Sequence, residues 1–144
     1  MPELSRRVQT FTDSVIRRMT RISDEVDAIN LSQGFPDFPP PKAITDRLRE
    51  VADEGPHQYS VTFGAENFRE ALARKQGRAY GREINPDTEI LVTCGGTEAM
   101  MSAMMTVCNP GDKVIVFSPF YENYGADAIL SGADPIFVPL VPPT

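Results

Sequence analysis

The fold of this chain follows from the stretch Ile90-Leu91-Val92-Thr93-Cys94-Gly95-Gly96-Thr97-Glu98-Ala99-Met100. A short apolar run ends in two glycines, and a Met- and Ala-rich segment with helical spacing follows, which predicts a strand, a tight turn and a helix. The first turn of a helix has unpaired backbone N–H groups and carries partial positive charge. Together with the Thr97 hydroxyl, this turn predicts a site for a phosphate or another dianion.

The same turn also has a purely structural interpretation. Many α/β proteins join a strand to a helix with Gly-Gly-Thr, and Thr97 would then only be the N-cap of the helix. The turn is neither Gly-x-Gly-x-x-Gly nor Gly-x-x-x-x-Gly-Lys-Ser/Thr, so the nucleotide-binding fingerprints are absent. From these residues alone, both interpretations remain open.

Composition limits the class of protein. The 144 residues suit one domain, and 41% hydrophobic with 24% charged residues is typical of a globular chain. A net charge of −6 argues against nucleic acid or an anionic membrane as partner. No run reaches transmembrane length, and the start of the sequence has no apolar segment of a secretory signal. We therefore expect a cytoplasmic protein.

The cysteines and the histidine predict no metal site. Cys94 and Cys108 flank a predicted helix without the spacing of metal ligands, as expected for free thiols in the reducing cytosol. His57, the one histidine of the sequence, stands in a predicted loop and is interpreted as a surface residue.

The N-terminal half predicts helices joined by ordered loops. Apolar spacing indicates a helix over residues 8–27, a second between Pro41 and Gly55, and a third over residues 66–80 that Gly81 ends. On the third helix Phe68, Leu72 and Ala79 are expected to face inward. The loops at residues 29–41 and 56–64 are too rich in proline, glycine and aromatic residues for helix or free linker.

The C-terminal half alternates between predicted strands and helices. Strands are predicted near 89–93, over 114–117 and over 136–138, with helices over 97–108 and from the Ser118–Tyr124 segment to Gly132. The strands are apolar throughout, which indicates a parallel, doubly wound α/β sheet covered on both faces.

Five motifs stand in one order along the chain. They are Asn30-Leu31-Ser32-Gln33-Gly34-Phe35-Pro36-Asp37, Gln58-Tyr59 with Phe63-Gly64, Gly95-Gly96-Thr97-Glu98-Ala99, Asn109-Pro110-Gly111-Asp112, and Ser118-Pro119-Phe120-Tyr121-Glu122-Asn123-Tyr124. From about Ile29 onward the ordered set resembles the front part of class I/II aminotransferases, of pyridoxal-phosphate fold type I. Within that group it is similar to the kynurenine, glutamine and methionine aminotransferase-like branch.

The resemblance implies a cofactor, pyridoxal 5′-phosphate, and residues that bind it. Gly95, Gly96 and Thr97 match the phosphate cup of the family, and Tyr121 matches the aromatic residue that stacks on the pyridine ring. A flat side chain there orients the ring and excludes water from one face. The alternative for Tyr121 is an aromatic core residue at a strand end.

Two further residues match positions on the substrate side of the family. Gly34 matches the glycine whose backbone approaches the substrate carboxylate, where a Cβ would interfere. Tyr59 matches a tyrosine that reaches the cofactor phosphate of the other subunit, which implies a homodimer. The alternative for Tyr59 is a loop aromatic that covers a neighbouring helix.

The catalytic residues of the family are not matched in this sequence. A transaminase needs a Schiff-base lysine, an aspartate at the pyridine nitrogen and an arginine for the substrate carboxylate. The family carries all three further along the chain. None of the lysines, Lys42, Lys75 and Lys113, matches the Schiff-base position, and all three are interpreted as surface charges.

The resemblance therefore indicates an incomplete unit. Residues 1–44 correspond to an N-terminal helix and substrate-side loop of the arm and small domain, and residues 45–144 to part of the mostly parallel sheet of the large cofactor-binding domain. In the complete fold, other strands lie between the strand ending at Thr93 and the strand Val114–Phe117. Alone, the segment is expected to expose strand edges and apolar faces, and to be marginally stable, dimer-dependent or prone to aggregation.

The sequence is compatible with three functions. The first is an aminotransferase of amino acid metabolism that moves an amino group from an amino acid to a 2-oxo acid, here as an inactive N-terminal fragment. The second is an inert truncated relative that serves as a binding or dimerisation module. The third is an unrelated α/β phosphate-binding domain, which leaves the loops that carry Gly34 and Tyr59 unexplained. The sequence does not define the amino donor, and related lyases of the same fold share the phosphate cup.

Overall fold

The computed structural model describes residues 3–55 and 57–142, so Pro56, the first residue of the second predicted loop, lies outside the described residues. Its elements, in chain order, are a 3-10 turn (Arg6–Val8), α1 (Val15–Glu25), α2 (Lys42–Glu54), α3 (Glu66–Tyr80), α4 (Gly95–Val107), β1 (Lys113–Ser118), α5 (Asn123–Leu130) and β2 (Asp134–Pro139). None of the helices in the described ranges is long and apolar enough to cross a membrane.

The chain forms two compact units. One contains residues 1–32 and 93–144, and the other contains residues 33–92. The predicted domain boundary between residues 44 and 45 concerns the complete protein and stays a prediction.

The first helix is shorter than the sequence predicts. It runs over Val15–Glu25 rather than residues 8–27, because the Ser14 hydroxyl accepts from the backbone N–H of Arg17 at 3.4 Å and caps the helix there. Ser5 in the same way starts a separate 3-10 turn. Apolar spacing continues through the loop between them, and this made the predicted helix too long.

A parallel β-α-β unit forms the C-terminal part, as predicted. β1 and β2 pair in parallel with Ile115 opposite Ile136, and α5 connects them. The helix lies close to the sheet at Gly125, where an added Cβ would be 3.4 Å from the ring of Phe137. Within the described residues the strands are not covered on both faces, because Ile115 is 62% and Phe117 57% exposed, and this agrees with the expectation that the segment alone exposes apolar faces. α5 lies against the strands, and no other helix in the described ranges packs on them.

The predicted strand near 89–93 is extended chain without a sheet partner. Within the described residues β1 pairs with β2 alone, and Val92 donates its backbone N–H to the carbonyl of Phe63 at 3.0 Å. A strand needs a neighbouring strand for its ladder, and an apolar β-branched run does not supply one. This strand prediction is therefore wrong for the described residues.

Helices α2 and α3 end where the sequence predicts, but α3 buries a different face. Phe68 is 53% exposed and Ala79 is exposed, whereas Arg69 and Ala73 are buried. The backbone of the following turn lies against Gly77 on this face, since a Cβ there would be 2.9 Å from the carbonyl oxygen of Arg82. Small residues and one hydrogen-bonded arginine thus form the contact face, and the inward orientation predicted for Phe68 and Ala79 is wrong.

Candidate functional site

The Gly-Gly turn is the start of α4. The helix begins at Gly95, which has a φ of +82°, a left-handed conformation that favours glycine. Thr93 ties the turn locally, because its carbonyl accepts from the N–H of Gly95 at 2.8 Å and its hydroxyl donates to the carbonyl of Gly95 at 3.0 Å. The chain therefore turns into the helix over two residues.

Four backbone N–H groups at this helix start have no partner within the helix, those of Cys94, Gly95, Gly96 and Thr97. The N–H of Gly95 is used by Thr93, and the N–H of Cys94 donates to the carboxylate of Glu98. The N–H groups of Gly96 and Thr97 remain for a ligand. Both belong to the positive end of the helix dipole.

Space in front of the turn is open. A Cβ added at Gly95 or Gly96 would meet no heavy atom within 4 Å. An anion can therefore approach the free N–H groups without displacing a side chain. The residues present fit the phosphate group predicted for this turn.

Thr97 is not the N-cap of α4, so the structural interpretation of this residue is wrong. The helix starts two residues earlier, and Cys94 holds the N-cap position without a side-chain bond. The Thr97 hydroxyl instead accepts from the side-chain amide of Asn123 at 2.8 Å. Because the hydroxyl accepts there, its own proton can be donated to an anion.

Tyr121 belongs to the segment that Asn123 brings to the turn. It stands two residues before Asn123, is 51% exposed, and meets Tyr124 edge to face with a centroid distance of 6.0 Å. Tyr121 and Tyr124 also line an open cavity of about 400 Å³ with Met100 and Met104 of α4. Tyr121 is therefore no core residue, and its ring presents free surface to a flat ligand.

Gly34 and Tyr59 lie in the other unit, residues 33–92. A Cβ at Gly34 would meet no heavy atom within 4 Å, so nothing approaches its backbone closely in this structure. Tyr59 is 97% exposed and covers no neighbouring helix. The roles expected for these two residues stay predictions.

Sequence reasoning missed the roles of Asn123 and Glu98. An acid in the first turn of a predicted helix is a known capping signal and could have identified Glu98. Asn123 contacts Thr97 from 26 residues away, and no local sequence pattern predicts such a bond. Within the described residues, no cluster of His, Cys, Asp or Glu could hold a metal ion, and Cys94 and Cys108 are free thiols at the two ends of α4.

The comparisons with known proteins agree on one group. The family model for aminotransferase class I and II matches residues 26–144. The methionine aminotransferase of Escherichia coli K12 is 38% identical over 130 residues, which are 90% of this chain and 34% of that protein. Kynurenine–oxoglutarate transaminase 3 of Rattus norvegicus is 34% identical over 94% of this chain and 30% of its own length.

The solved structures agree with the sequence comparisons. An Escherichia coli crystal structure described as a methionine aminotransferase superposes with a TM-score of 0.91 at 35% identity, over 99% of this chain and 37% of that one. This likeness confirms the predicted α/β fold class. The chain spans about a third of the length of the curated relatives that it matches.

Proposed function

Because this chain belongs to the class I and II aminotransferases, we propose that it carries the cofactor-phosphate cup of an enzyme that transfers an amino group from an amino acid to a 2-oxo acid. The cofactor of the family, pyridoxal 5′-phosphate, supplies an electron sink when bound. The role of this chain is to bind, orient and shield that group.

The observation that carries the proposal is the open start of α4. The N–H groups of Gly96 and Thr97 and the Thr97 hydroxyl hold the phosphate, and Gly95 gives the turn its left-handed conformation. A phosphate dianion gains both from these donors and from the helix dipole. Neither gain requires a positively charged side chain.

Tyr121 stacks on the pyridine ring in this proposal. Its half-exposed ring and its edge-to-face contact with Tyr124 support the assignment. A flat aromatic face orients the cofactor and keeps water from one side of it. Tyr121 thereby limits the direction from which a proton can reach the reacting carbon.

In the same proposal, Gly34 and Tyr59 have the roles that the family resemblance implies for them. Gly34 allows the backbone to approach the substrate carboxylate, and the absence of atoms near its Cβ position is compatible with that. Tyr59 donates its hydroxyl to the cofactor phosphate of a second subunit, so the working unit is a homodimer. Its exposed side chain is free to do so.

In this proposal residues 1–44 serve as the arm and part of the small domain, and residues 45–144 belong to the large domain. The enzyme works in the cytoplasm.

The amine that bonds the cofactor covalently is not one of the lysines of this chain. Lys42 and Lys113 form ion pairs with Asp46 and Asp134 on the surface, and none of the three lysines stands in a motif of the family. The segment alone is therefore expected to bind the phosphate without forming the covalent bond.

The test uses the longest open reading frame that contains this segment. Purified protein is incubated with pyridoxal phosphate, reduced with borohydride and mapped by mass spectrometry, and amino transfer to 2-oxo acids is assayed. We expect one modified lysine outside residues 1–144, amino transfer, and weaker cofactor binding after Thr97→Val. A protein without a modified lysine and without transfer would instead be the inert binding or dimerisation module.

A further inference from the structure

Arg69 is a buried cation on a helix that is otherwise largely exposed. Only 6% of its surface is accessible. Its Nε donates to the carbonyl of Gly64 at 3.0 Å, and one Nη donates to the carbonyl of Pro86 and to the carboxylate of Asp87, both at 2.6 Å. A buried charge is tolerated only when it is paired and hydrogen-bonded in this way.

The acceptors of Arg69 belong to two segments on either side of α3. Gly64 closes the loop that carries Tyr59, and Pro86 and Asp87 belong to the turn before the extended segment that ends at Val92. One guanidinium therefore joins the end of the loop to the turn that follows the helix.

The loop and the extended segment also touch each other directly. Val92 donates its N–H to the carbonyl of Phe63 at 3.0 Å. Gly64 has a φ of +106°, and a Cβ there would be 2.4 Å from Cγ2 of Val92. The C-terminal end of the loop thus has little freedom while these contacts hold.

Tyr59 has no such restraint of its own. It is 97% exposed, so packing within its unit does not fix the side chain. Its position depends on the backbone, which is closed by a bond from the N–H of Gly64 to the carbonyl of Val61 at 2.8 Å and then by Arg69. Loss of Arg69 would remove one of the contacts that hold this end of the loop and leave the bond from Val92 to Phe63.

We propose that Arg69 is a positioning residue for Tyr59: its guanidinium fixes the end of the loop and thereby the place from which the tyrosine hydroxyl reaches a cofactor phosphate. The inference rests on the proposed role of Tyr59. Arg69 itself touches neither cofactor nor substrate. Its effect is therefore confined to the phosphate, the group that Tyr59 is proposed to contact.

The test compares pyridoxal phosphate with pyridoxal, which lacks the phosphate, in the longest reading frame that contains this segment. Dissociation constants and melting temperatures are measured for the parent protein, Arg69→Lys, Tyr59→Phe and the double variant. We expect Arg69→Lys to weaken pyridoxal phosphate binding about tenfold, since lysine lacks the fork that holds several acceptors at once. Pyridoxal binding should stay unchanged, and the loss should vanish in the Tyr59→Phe background.

Asp87 supplies the second variant and the matched control. Asp87→Ala removes one acceptor from the buried guanidinium and should lower the preference for pyridoxal phosphate by about threefold. Asp87→Asn keeps an acceptor oxygen and should remain close to the parent protein. If Arg69→Lys does not fold, an unchanged preference in Asp87→Ala overturns the inference.

The outcomes separate this inference from the proposed function. If Tyr59→Phe weakens pyridoxal phosphate binding while Arg69→Lys leaves it unchanged, or weakens both probes equally, Arg69 does not position the tyrosine. If Tyr59→Phe itself changes nothing, the proposed contact of Tyr59 fails and the inference fails with it. A fall in melting temperature alone would assign Arg69 to stability and overturn the inference.

Discussion

The side-chain amide of Asn123 donates to the hydroxyl of Thr97 across 2.8 Å, which joins the first turn of α5 to the first turn of α4. This bond leaves the hydroxyl of Thr97 free to donate, because an oxygen that accepts from an amide keeps its own proton for a further acceptor. It also brings the segment that carries Tyr121 to the Gly-Gly turn.

Asn123→Asp should therefore weaken pyridoxal phosphate binding by about tenfold to a hundredfold, because a hydrogen bond to a charged group is worth about 1.5–3 kcal/mol. The new carboxylate would accept a hydrogen bond from the Thr97 hydroxyl, which would then no longer donate to the phosphate, and it would place negative charge beside the phosphate. Fluorescence titration of the cofactor measures the change. Asn67→Asp, which makes the same charge change at an exposed position in the other unit, should bind like the parent protein. Equal affinities for both variants would contradict the assigned direction of the bond.

Gly95→Ala should lower the free energy of unfolding by about 1–2 kcal/mol, because alanine is strained at a φ of +82°. Gly96→Ala is the matched control, since its backbone is not left-handed and its Cβ position is open. Urea denaturation without cofactor measures both variants. A Gly96→Ala variant as unstable as Gly95→Ala would mean that the left-handed turn is not the source of the loss.

Asp127 predicts a pH dependence of stability. It is buried in α5, burial raises the pKa of its carboxyl, and its Oδ2 is the one buried side-chain oxygen or nitrogen without a partner in the ranges described. The folded protein therefore keeps this proton longer than the unfolded chain, and stability is lost as the pH rises through the raised pKa.

Asp127→Asn should accordingly raise the free energy of unfolding at pH 7, because a neutral amide costs less to bury than an ionised carboxylate. Melting temperatures between pH 4 and 8 should depend less on pH than in the parent protein. Asp134→Asn, at an exposed ion pair, is the control and should not reproduce the gain. A loss of stability in Asp127→Asn would show that the carboxylate is satisfied in solution.

Glu89 predicts a pH dependence of stability that is opposite in sign to that of Asp127. The backbone N–H of Asn85 and then the guanidinium of Arg82 hold the pKa of this carboxyl below its usual range. The contribution of Glu89 to folding stability is present above the pKa of the unfolded chain and is lost as the pH falls through the lowered pKa of the folded protein. Glu89→Gln should therefore lower the melting temperature at pH 7 more than at pH 3, whereas Glu83→Gln should not. Equal effects at both pH values would exclude the ionised form as the stabilising one.

Much of the fold could be predicted from local signals. The ends of α2 and α3 follow from glycines placed after an apolar stripe, and Gly55 and Gly81 both have positive φ. The apolar runs around Ile115 and Ile136 predict the two paired strands, because such runs need cover and a ladder partner. These features depend on residues close together in the sequence.

The features that were missed depend on distant partners. Arg69 is buried because Gly64 and the Pro86–Asp87 turn supply its hydrogen-bond acceptors. The residues around Arg69 in the helix do not predict these distant partners. The segment up to Val92 is not a strand, because no neighbouring strand pairs with it within the described residues. Its own sequence does not show whether such a partner is present. For the site, the turn could be predicted from its glycines, whereas the contact from Asn123 could not.

The four backbone N–H groups at the start of α4 that have no partner within the helix affect which anions the turn binds. Glu98 and Thr93 occupy two of them, so the turn offers a tripod made of two amides and one hydroxyl. A phosphate monoester presents three terminal oxygens in a pyramid and can match every leg. A planar carboxylate has two oxygens and leaves one leg without a partner, so this turn favours tetrahedral anions by shape as well as by charge.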